Sequence, residues 1–199
     1  MKFSVKGFDI HSGLLDIAAQ RSVLDAVRSV VAKAPLFRPE TPHGKTMSVR
    51  MTAAGQYGWY SDKNGYRYVR AHPSGQLWPE IPPEVLKIWQ QVTSLKRQPE
   101  CCLINYYGAE AKMGLHQDRD EADMGWPVVS ISLGDEGLFR MGNVTRGGKT
   151  ESMWLRSGDV VVMGGDARLA YHGVDRIRAG SSKLLPKGGR LNLTLRVVD

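Results

Sequence analysis

The sequence predicts an α+β protein whose carboxyl-terminal half is an antiparallel β-sandwich or jelly roll. Short β-rich stretches follow one another after residue 101, and Gly and Asp turns separate them at intervals of about ten residues. No helical pattern lies between these stretches, whereas a parallel doubly wound sheet needs helices there. The chain has 199 residues, which suits a single domain.

Composition and charge narrow the class of protein. Hydrophobic residues make up 42% of the chain, and no apolar run reaches the length of about 18 residues that a membrane span needs. The first residues lack the apolar core of a secretory signal. A formal net charge of +7 favours polyanionic partners such as nucleic acid. The neighbouring Cys101 and Cys102 make a poor disulfide pair, so we expect a cytoplasmic protein.

Two amphipathic helices are expected before the strands. Residues 14–34 carry apolar side chains at helical spacing, and Pro35 ends this helix. Residues 83–95 form the second helix, which starts at a pair of prolines and presents Ile88 and Trp89 on its packing face. The first helix is expected to pack on the sheet as scaffold.

Residues 35–82 differ from the rest because Pro and Gly punctuate them and aromatic residues alternate with basic ones. We expect short strands at 47–51 and 66–69 around the turn at 63–65. Aromatic side chains with basic neighbours suit stacking on nucleobases and contact with phosphates. The alternative is a small β-flap whose aromatic residues fill its own core, and the sequence leaves both interpretations open.

The expected strands of the sandwich fall at 101–107, 128–133, 138–141, 152–155, 159–163, 169–171 and 191–198.

A candidate metal site lies at His116 and Asp118. Two residues apart on an extended strand, their side chains point to the same side of the backbone. They supply two thirds of the 2-His-1-carboxylate set that binds non-haem Fe(II), and His172 is the only later histidine. The alternative for an isolated His-x-Asp is a solvated turn.

The last predicted strand alternates polar and apolar residues. Arg190, Asn192, Thr194 and Arg196 share one face, and leucines share the other. An inward polar face would need anionic ligands, because unpaired buried charge is costly, and a dicarboxylate of about five carbons suits two guanidinium groups. The alternative is an edge strand with a solvated basic face.

Taken together, several stretches resemble the AlkB family of Fe(II)- and 2-oxoglutarate-dependent DNA/RNA repair dioxygenases. They are residues 103–107, 115–121, 127–134, 158–165, 171–173 and 190–196, in the family's order. The resemblance covers about residues 47–198, and residues 1–45 resemble the family only loosely. Two departures are Met163, where a close relative has an aromatic residue, and the loop 179–189.

The resemblance implies roles for individual residues. His116, Asp118 and His172 match the iron ligands and are the catalytic centre. The residues that match cosubstrate contacts are Asn105, Tyr107, Arg190, Asn192 and Arg196. Those that match substrate contacts are Trp59, which stacks on the flipped base, together with Tyr66, Asp120 and Arg146.

The resemblance also implies a fold and an activity. The fold is a double-stranded β-helix core with flanking N-terminal helices and a small β lid that recognises nucleotides. In one domain, residues 1–45 are an N-terminal extension, 46–82 the lid, and 83–199 a helix plus the core.

The implied reaction is oxidative demethylation of 1-methyladenine and 3-methylcytosine, with 2-oxoglutarate and O2 consumed and formaldehyde, succinate and CO2 released. The expected partner is alkylated single-stranded DNA, with double-stranded DNA or RNA as further partners, and the protein is expected to be a monomer. The alternatives are an oxygenase acting on RNA or on a substrate other than nucleic acid, and a non-catalytic nucleic-acid-binding module.

Overall fold

The computed structural model describes residues 1–199 and contains thirteen strands, two α-helices and one 3-10 turn. In chain order these are β1 (Lys2–Val5), β2 (Phe8–His11), α1 (Ile17–Lys33), β3 (Arg50–Gly55), β4 (Gly58–Asp62), β5 (Gly65–Val69), α2 (Pro83–Thr93), β6 (Cys101–Tyr107), β7 (Met113–His116), β8 (Val128–Gly134), β9 (Glu136–Met141), β10 (Glu151–Leu155), β11 (Val160–Met163), the 3-10 turn (Gly165–Ala167), β12 (His172–Arg178) and β13 (Arg190–Arg196).

Two antiparallel sheets face each other and form the predicted jelly roll. The major sheet has seven strands in the order β1-β2-β11-β8-β13-β6-β3, and the minor sheet has four in the order β10-β9-β12-β7. Strands β4 and β5 form a separate hairpin, which we call the lid hairpin. The predicted fold class is therefore confirmed.

Apolar side chains lie on both faces of the major sheet. On one face, Val27 of α1 and Trp89 of α2 belong to a core cluster with Leu193 of β13. On the other face, Phe8 and Val161 pack with residues of the minor sheet. The chain thus stacks helices, major sheet and minor sheet in three layers, which leaves the major sheet with little contact to water.

Each helix begins at a residue that suits a helix N-terminus. Asp16 caps α1, since its carboxylate accepts a hydrogen bond from the Ala19 amide at 2.8 Å. Pro83 occupies the first turn of α2, where a missing N–H costs nothing. Neither helix is long and apolar enough to cross a membrane.

The strand β13 explains how charge comes to lie in the interior. It is a central strand, hydrogen-bonded to β8 on one side and β6 on the other. Its leucines face the helices, so its alternate polar residues face the space between the sheets. Arg190 and Arg196 are only 1% and 6% exposed, so the alternative prediction of an edge strand with a solvated basic face is wrong.

The sequence predicts that strands at 47–51 and 66–69 pair around the turn at 63–65, and the first of these two partners is wrong. Strand β5 pairs with β4, whereas the residues near 47–51 lead into β3, which extends the major sheet beside β6. Residues 51–54 are buried, because this strand pairs with β6 at the edge of the major sheet and is not available to a surface hairpin.

Three elements were missed or misplaced. The hairpin β1–β2 joins the major sheet through β11, although the sequence indicated only a helix among the first 45 residues. Strand β7 was not predicted as a separate element. The strand expected at 169–171 is wrong, because these residues follow the 3-10 turn and the strand begins at His172.

Candidate active site

The predicted metal ligands meet where the strands β7 and β12 pair. His172 is the register partner of His116, and the centroids of their rings lie 4.6 Å apart. Asp118 follows β7 by two residues. One ligand atom from each of the three side chains lies within 4.8 Å of the others, which is close enough to hold one metal ion. The solvated turn is therefore excluded as the role of this motif.

Backbone carbonyl groups orient both histidines. The Nδ1–H of His116 donates to the Gly114 carbonyl at 2.9 Å, and that of His172 donates to the Ala170 carbonyl at 3.0 Å. Each Nε2 atom is then left as the ligand atom, facing the Asp118 carboxylate at 3.6 and 3.7 Å. The two backbone carbonyls therefore select the histidine tautomer whose Nε2 is free to bind a metal.

Charge also prepares these ligands for a cation. Burial opposes ionisation of Asp118, but Arg196 and the two histidines outweigh it and lower the pKa of this carboxyl below its usual range. Burial and the neighbouring His116 lower the pKa of His172 to about 4. At neutral pH the site therefore offers one carboxylate and one neutral buried imidazole, as metal binding requires.

The floor of the cavity, as we call its inner end, carries polar atoms without partners. Arg190 donates to the Ser132 hydroxyl at 2.7 Å and to the carbonyls of Asp135 and Leu155, yet its Nε has no partner. Arg196 Nε is a second buried donor without a partner, and Asn105 Oδ1 is a buried acceptor without one. Unpaired buried donors are costly unless a ligand satisfies them. The residues present therefore fit an anionic cosubstrate.

Space at the floor is matched to the guanidinium group. A Cβ atom at Gly137 would lie 2.8 Å from Arg190 Nε, so only glycine leaves room at this place in β9. Burial lowers the pKa of Arg190 to about 10, and the group stays cationic at neutral pH.

The mouth of the cavity, as we call its outer end, has aromatic walls. The rings of Trp59 and Tyr66 stack with centroids 5.4 Å apart, and the Trp59 indole N–H donates to the Asp120 carboxylate at 2.9 Å. Arg146 lies on the exposed loop after β9. The cavity between mouth and floor has a volume of about 540 Å³, and every site residue predicted from the sequence lines it.

A buried charge network beside the metal ligands was not predicted. Arg196 reaches Asp118 Oδ2 at 2.9 Å and Glu121 Oε1 at 3.6 Å. Glu121 also pairs with Arg168 at 3.0 Å and accepts a hydrogen bond from the Tyr68 hydroxyl at 2.5 Å. Glu121 lies within a stretch that the sequence singled out, but no local signal links it to an arginine 47 residues away.

The fold and this site define a class: a jelly-roll oxygenase that binds Fe(II) through two histidines and an aspartate and uses 2-oxoglutarate and O2. The model of the 2OG-Fe(II) oxygenase superfamily matches residues 7–196. A dioxygenase from Caulobacter vibrioides, named as an alpha-ketoglutarate-dependent AlkB homolog, is 54% identical over 96% of this chain and 88% of its own length. The chain therefore belongs to the AlkB family within this superfamily.

Other relatives agree with this placement. AlkB of Escherichia coli is 39% identical over 90% of this chain and 84% of its own length. The DNA N(6)-methyladenine demethylase ALKBH1C of Arabidopsis thaliana is 40% identical over 49% of this chain and 24% of its own length. The solved structure of OsALKBH1 superposes with a TM-score of 0.81, at 29% identity and 98% coverage of both chains.

Proposed function

We propose that this enzyme repairs N-alkylated bases, chiefly 1-methyladenine and 3-methylcytosine, in single-stranded DNA. The observation that carries the proposal is the continuity of one cavity, from the Trp59–Tyr66 stack at its mouth to the metal ligands at its inner end. A planar base entering between aromatic walls would bring an N-methyl group towards the metal. The net charge of +7 favours a nucleic-acid strand outside the cavity.

The cosubstrate is assigned to the floor. In this proposal the Arg190 guanidinium pairs with the distal carboxylate of 2-oxoglutarate, and Asn105 and Tyr107 help to hold the molecule. Asn192 and Arg196 lie near the carboxylate that binds the metal. Supporting this assignment, Arg190 Nε and Arg196 Nε are buried donors without partners.

The substrate base is assigned to the mouth. Trp59 would stack on the flipped base against the His116 ring, which offsets part of the cost of unstacking by about 1–3 kcal/mol. Asp120 supplies a carboxylate close to this ring, 2.9 Å from the indole nitrogen. Because 1-methyladenine and 3-methylcytosine are cationic, this negative charge favours them over neutral 3-methylthymine. Tyr66 and Arg146, which also line the cavity, would contact the substrate.

The chemistry divides between cofactor and protein. Iron with 2-oxoglutarate and O2 supplies the oxidising power, and the methyl group leaves as formaldehyde while succinate and CO2 form. The chain's own residues orient the reactants: Gly114 and Ala170 fix the histidine rings, Arg190 anchors the cosubstrate, and Trp59 holds the base.

The relatives support a nucleic-acid substrate, since the Arabidopsis relative is named a DNA demethylase. RNA is the second polymer to test, because the basic and aromatic lid suits either strand. We also infer a cytoplasmic monomer. Cys101 and Cys102 are both unpaired, as in a reducing compartment, and a single cavity mouth suffices for one strand.

The proposal is tested by following formaldehyde and product mass from a single-stranded DNA oligomer with one 1-methyladenine. The reaction contains Fe(II), ascorbate and 2-oxoglutarate, and the same lesion is offered in duplex DNA and in RNA. We expect fastest demethylation in single-stranded DNA, slower turnover of 3-methylthymine, and no product with His116→Ala.

Two results would contradict the proposal. Consumption of 2-oxoglutarate without loss of the methyl group from any oligomer would mean a different substrate. Equal or faster turnover of the neutral 3-methylthymine would remove the role of Asp120 in recognising a cationic base.

A further inference from the structure

A buried carboxylate outside the metal site is held by backbone amides and by no cationic side chain. Asp135 lies between β8 and β9, directly after Gly134, and is only 1% exposed. Its carboxylate oxygens accept hydrogen bonds from two backbone amides. A charge is kept in the interior only where its hydrogen bonds offset the cost of leaving water, so these partners show what Asp135 holds in place.

The partners of Asp135 lie at the two ends of one loop. Oδ1 accepts from the Ser182 amide at 3.0 Å, and Oδ2 accepts from the Gly189 amide at 2.8 Å. The Asp135 amide donates in return to the Gly189 carbonyl at 2.8 Å. One residue thus fastens both ends of residues 182–189, which we call the floor loop. This loop lies within residues 179–189, which depart from the family pattern.

The floor loop leads directly into Arg190, the first residue of β13. The Asp135 carbonyl accepts a hydrogen bond from Arg190 Nη1 at 3.3 Å. Close contacts also fix the backbone here, because a Cβ atom at Gly134 would lie 2.5 Å from the Gly189 carbonyl oxygen, and one at Gly189 would lie 2.6 Å from the Tyr106 hydroxyl. Asp135 therefore holds both the backbone before Arg190 and its guanidinium group.

We propose that Asp135 is a positioning residue for the cosubstrate. Its clamp on the floor loop fixes the Arg190 guanidinium group where the distal carboxylate of 2-oxoglutarate would meet it. Asp135 does not line the cavity, so it acts through Arg190 and not by contact with the ligand. The inference rests on the proposed contact between Arg190 and 2-oxoglutarate, and it is independent of which nucleic acid is the substrate.

A truncated cosubstrate separates this role from a general effect on the fold. 2-Oxobutyrate has the same 2-oxo carboxylate as 2-oxoglutarate for binding the metal, but it has no distal carboxylate. Loss of the clamp should therefore weaken the binding of 2-oxoglutarate and leave the binding of 2-oxobutyrate unchanged. Asp135→Asn is the test variant, because its amide group keeps the size of the carboxylate and turns an N–H donor towards a backbone N–H.

The experiment titrates the full-length protein, loaded with Fe(II) in the absence of O2, with each of the two acids. Binding is followed by the visible absorption of the complex between Fe(II) and a 2-oxo acid. We expect about tenfold weaker 2-oxoglutarate binding by Asp135→Asn, as for a lost hydrogen bond to a charged group, and equal 2-oxobutyrate binding. Asp16→Asn is the matched control, because Asp16 also accepts a backbone amide but lies before α1, outside the cavity.

A second measurement needs no variant. A clamp that strengthens 2-oxoglutarate binding tenfold must itself be stabilised tenfold by the bound acid. In the wild-type protein with Mn(II), 2-oxoglutarate should therefore slow amide hydrogen exchange of residues 182–189, and saturating 2-oxobutyrate should not.

Each outcome decides the inference. Equal weakening of both acids by Asp135→Asn would mean a general structural role and would refute the positioning role. Unchanged binding of both acids would refute it as well, while a wild-type preference for 2-oxoglutarate would keep the Arg190 contact. If the wild type binds the two acids equally, that contact fails together with the inference. If Asp135→Asn does not fold, equal exchange of the wild-type floor loop with either acid refutes the inference.

Discussion

The floor and the mouth of the cavity are built on opposite principles. Floor residues stand on central strands and are almost fully buried: Arg190 is 1% exposed and Asn105 3%. At the mouth, Tyr66 is 52% exposed and Asp120 lies on an exposed loop. The register of the major sheet therefore positions the floor residues, whereas the positions of the mouth residues depend on a hairpin and loops that contact water.

This difference separates two kinds of specificity. In the proposed function, unpaired buried donors at the floor penalise any cosubstrate that cannot satisfy them, so the choice of cosubstrate is strict. Stacking at the mouth would accept any planar ring, and charge would then distinguish cationic from neutral bases. Changes at the floor should therefore affect every reaction of the enzyme, while changes at the mouth should affect only the reaction with the base.

The largest expected effect follows from removing a metal ligand. His172→Ala should weaken metal binding by at least about a hundredfold, because two ligands remain of three. Metal content by mass spectrometry and 2-oxoglutarate consumption should both fall to background. His43→Ala, a change at an exposed histidine, is the control and should behave as the wild type. Retention of metal by His172→Ala would exclude the triad as the binding site.

The next effect tests the mouth. Trp59→Ala should lower kcat/KM for an alkylated oligomer by about thirtyfold, which corresponds to the loss of base stacking. Consumption of 2-oxoglutarate without an oligomer should stay unchanged, because the floor is intact. Trp154→Ala is the matched control, since Trp154 packs under Arg178 outside the cavity. A parallel loss of both activities would show that mouth and floor are not separable.

A smaller effect is expected from overfilling the floor. Gly137→Ala would place its Cβ 2.8 Å from Arg190 Nε. Displacement of this guanidinium group should raise KM for 2-oxoglutarate about tenfold while leaving KM for the oligomer unchanged. Gly108→Ala serves as control, because a Cβ there meets nothing within 4 Å. An unchanged KM for 2-oxoglutarate would argue against Arg190 as its anchor.

The smallest effect is a dependence of stability on alkaline pH. Burial raises the pKa of the Cys101 thiol to about 12, and it also raises that of Cys102. The folded protein then keeps protons that the unfolded chain releases above about pH 9, so the free energy of unfolding should fall as pH rises from 9 towards 12.

Urea unfolding at pH 8 and pH 10 measures this loss, about 1 kcal/mol per thiol. A thiol reagent at pH 8 should label neither cysteine until urea is added. Rapid labelling of the native protein would show that the strand β6, which carries both cysteines, opens in the folded state.

Local patterns in the sequence predict much of this fold and of its candidate site. The alternation of β13 and the His-x-Asp spacing are relations between residues a few positions apart, and both correctly indicated which side chains share a face. The helices also followed from local periodicity and proline signals, to within three residues at each end. The family and its cofactors followed from several such stretches in order.

Other features depend on which segments pair, and local patterns do not decide that. The sequence predicts the wrong partner for β5. The segment that leads into β3 and the strand β4 both have a β-like composition, and only the burial of β3 distinguishes them. The hairpin β1–β2 gains its place through pairing with β11, about 150 residues later.

The sequence by itself therefore determined the jelly roll, the ligand types and the polar face of β13. Only the tertiary structure decided that this face is buried, that His172 lies opposite His116, and that Tyr68, Glu121 and Arg168 form one network with Arg196. The physical reason is that side-chain direction follows from backbone geometry within a few residues. Strand register and the pairing of buried charges emerge only when distant segments exclude water together.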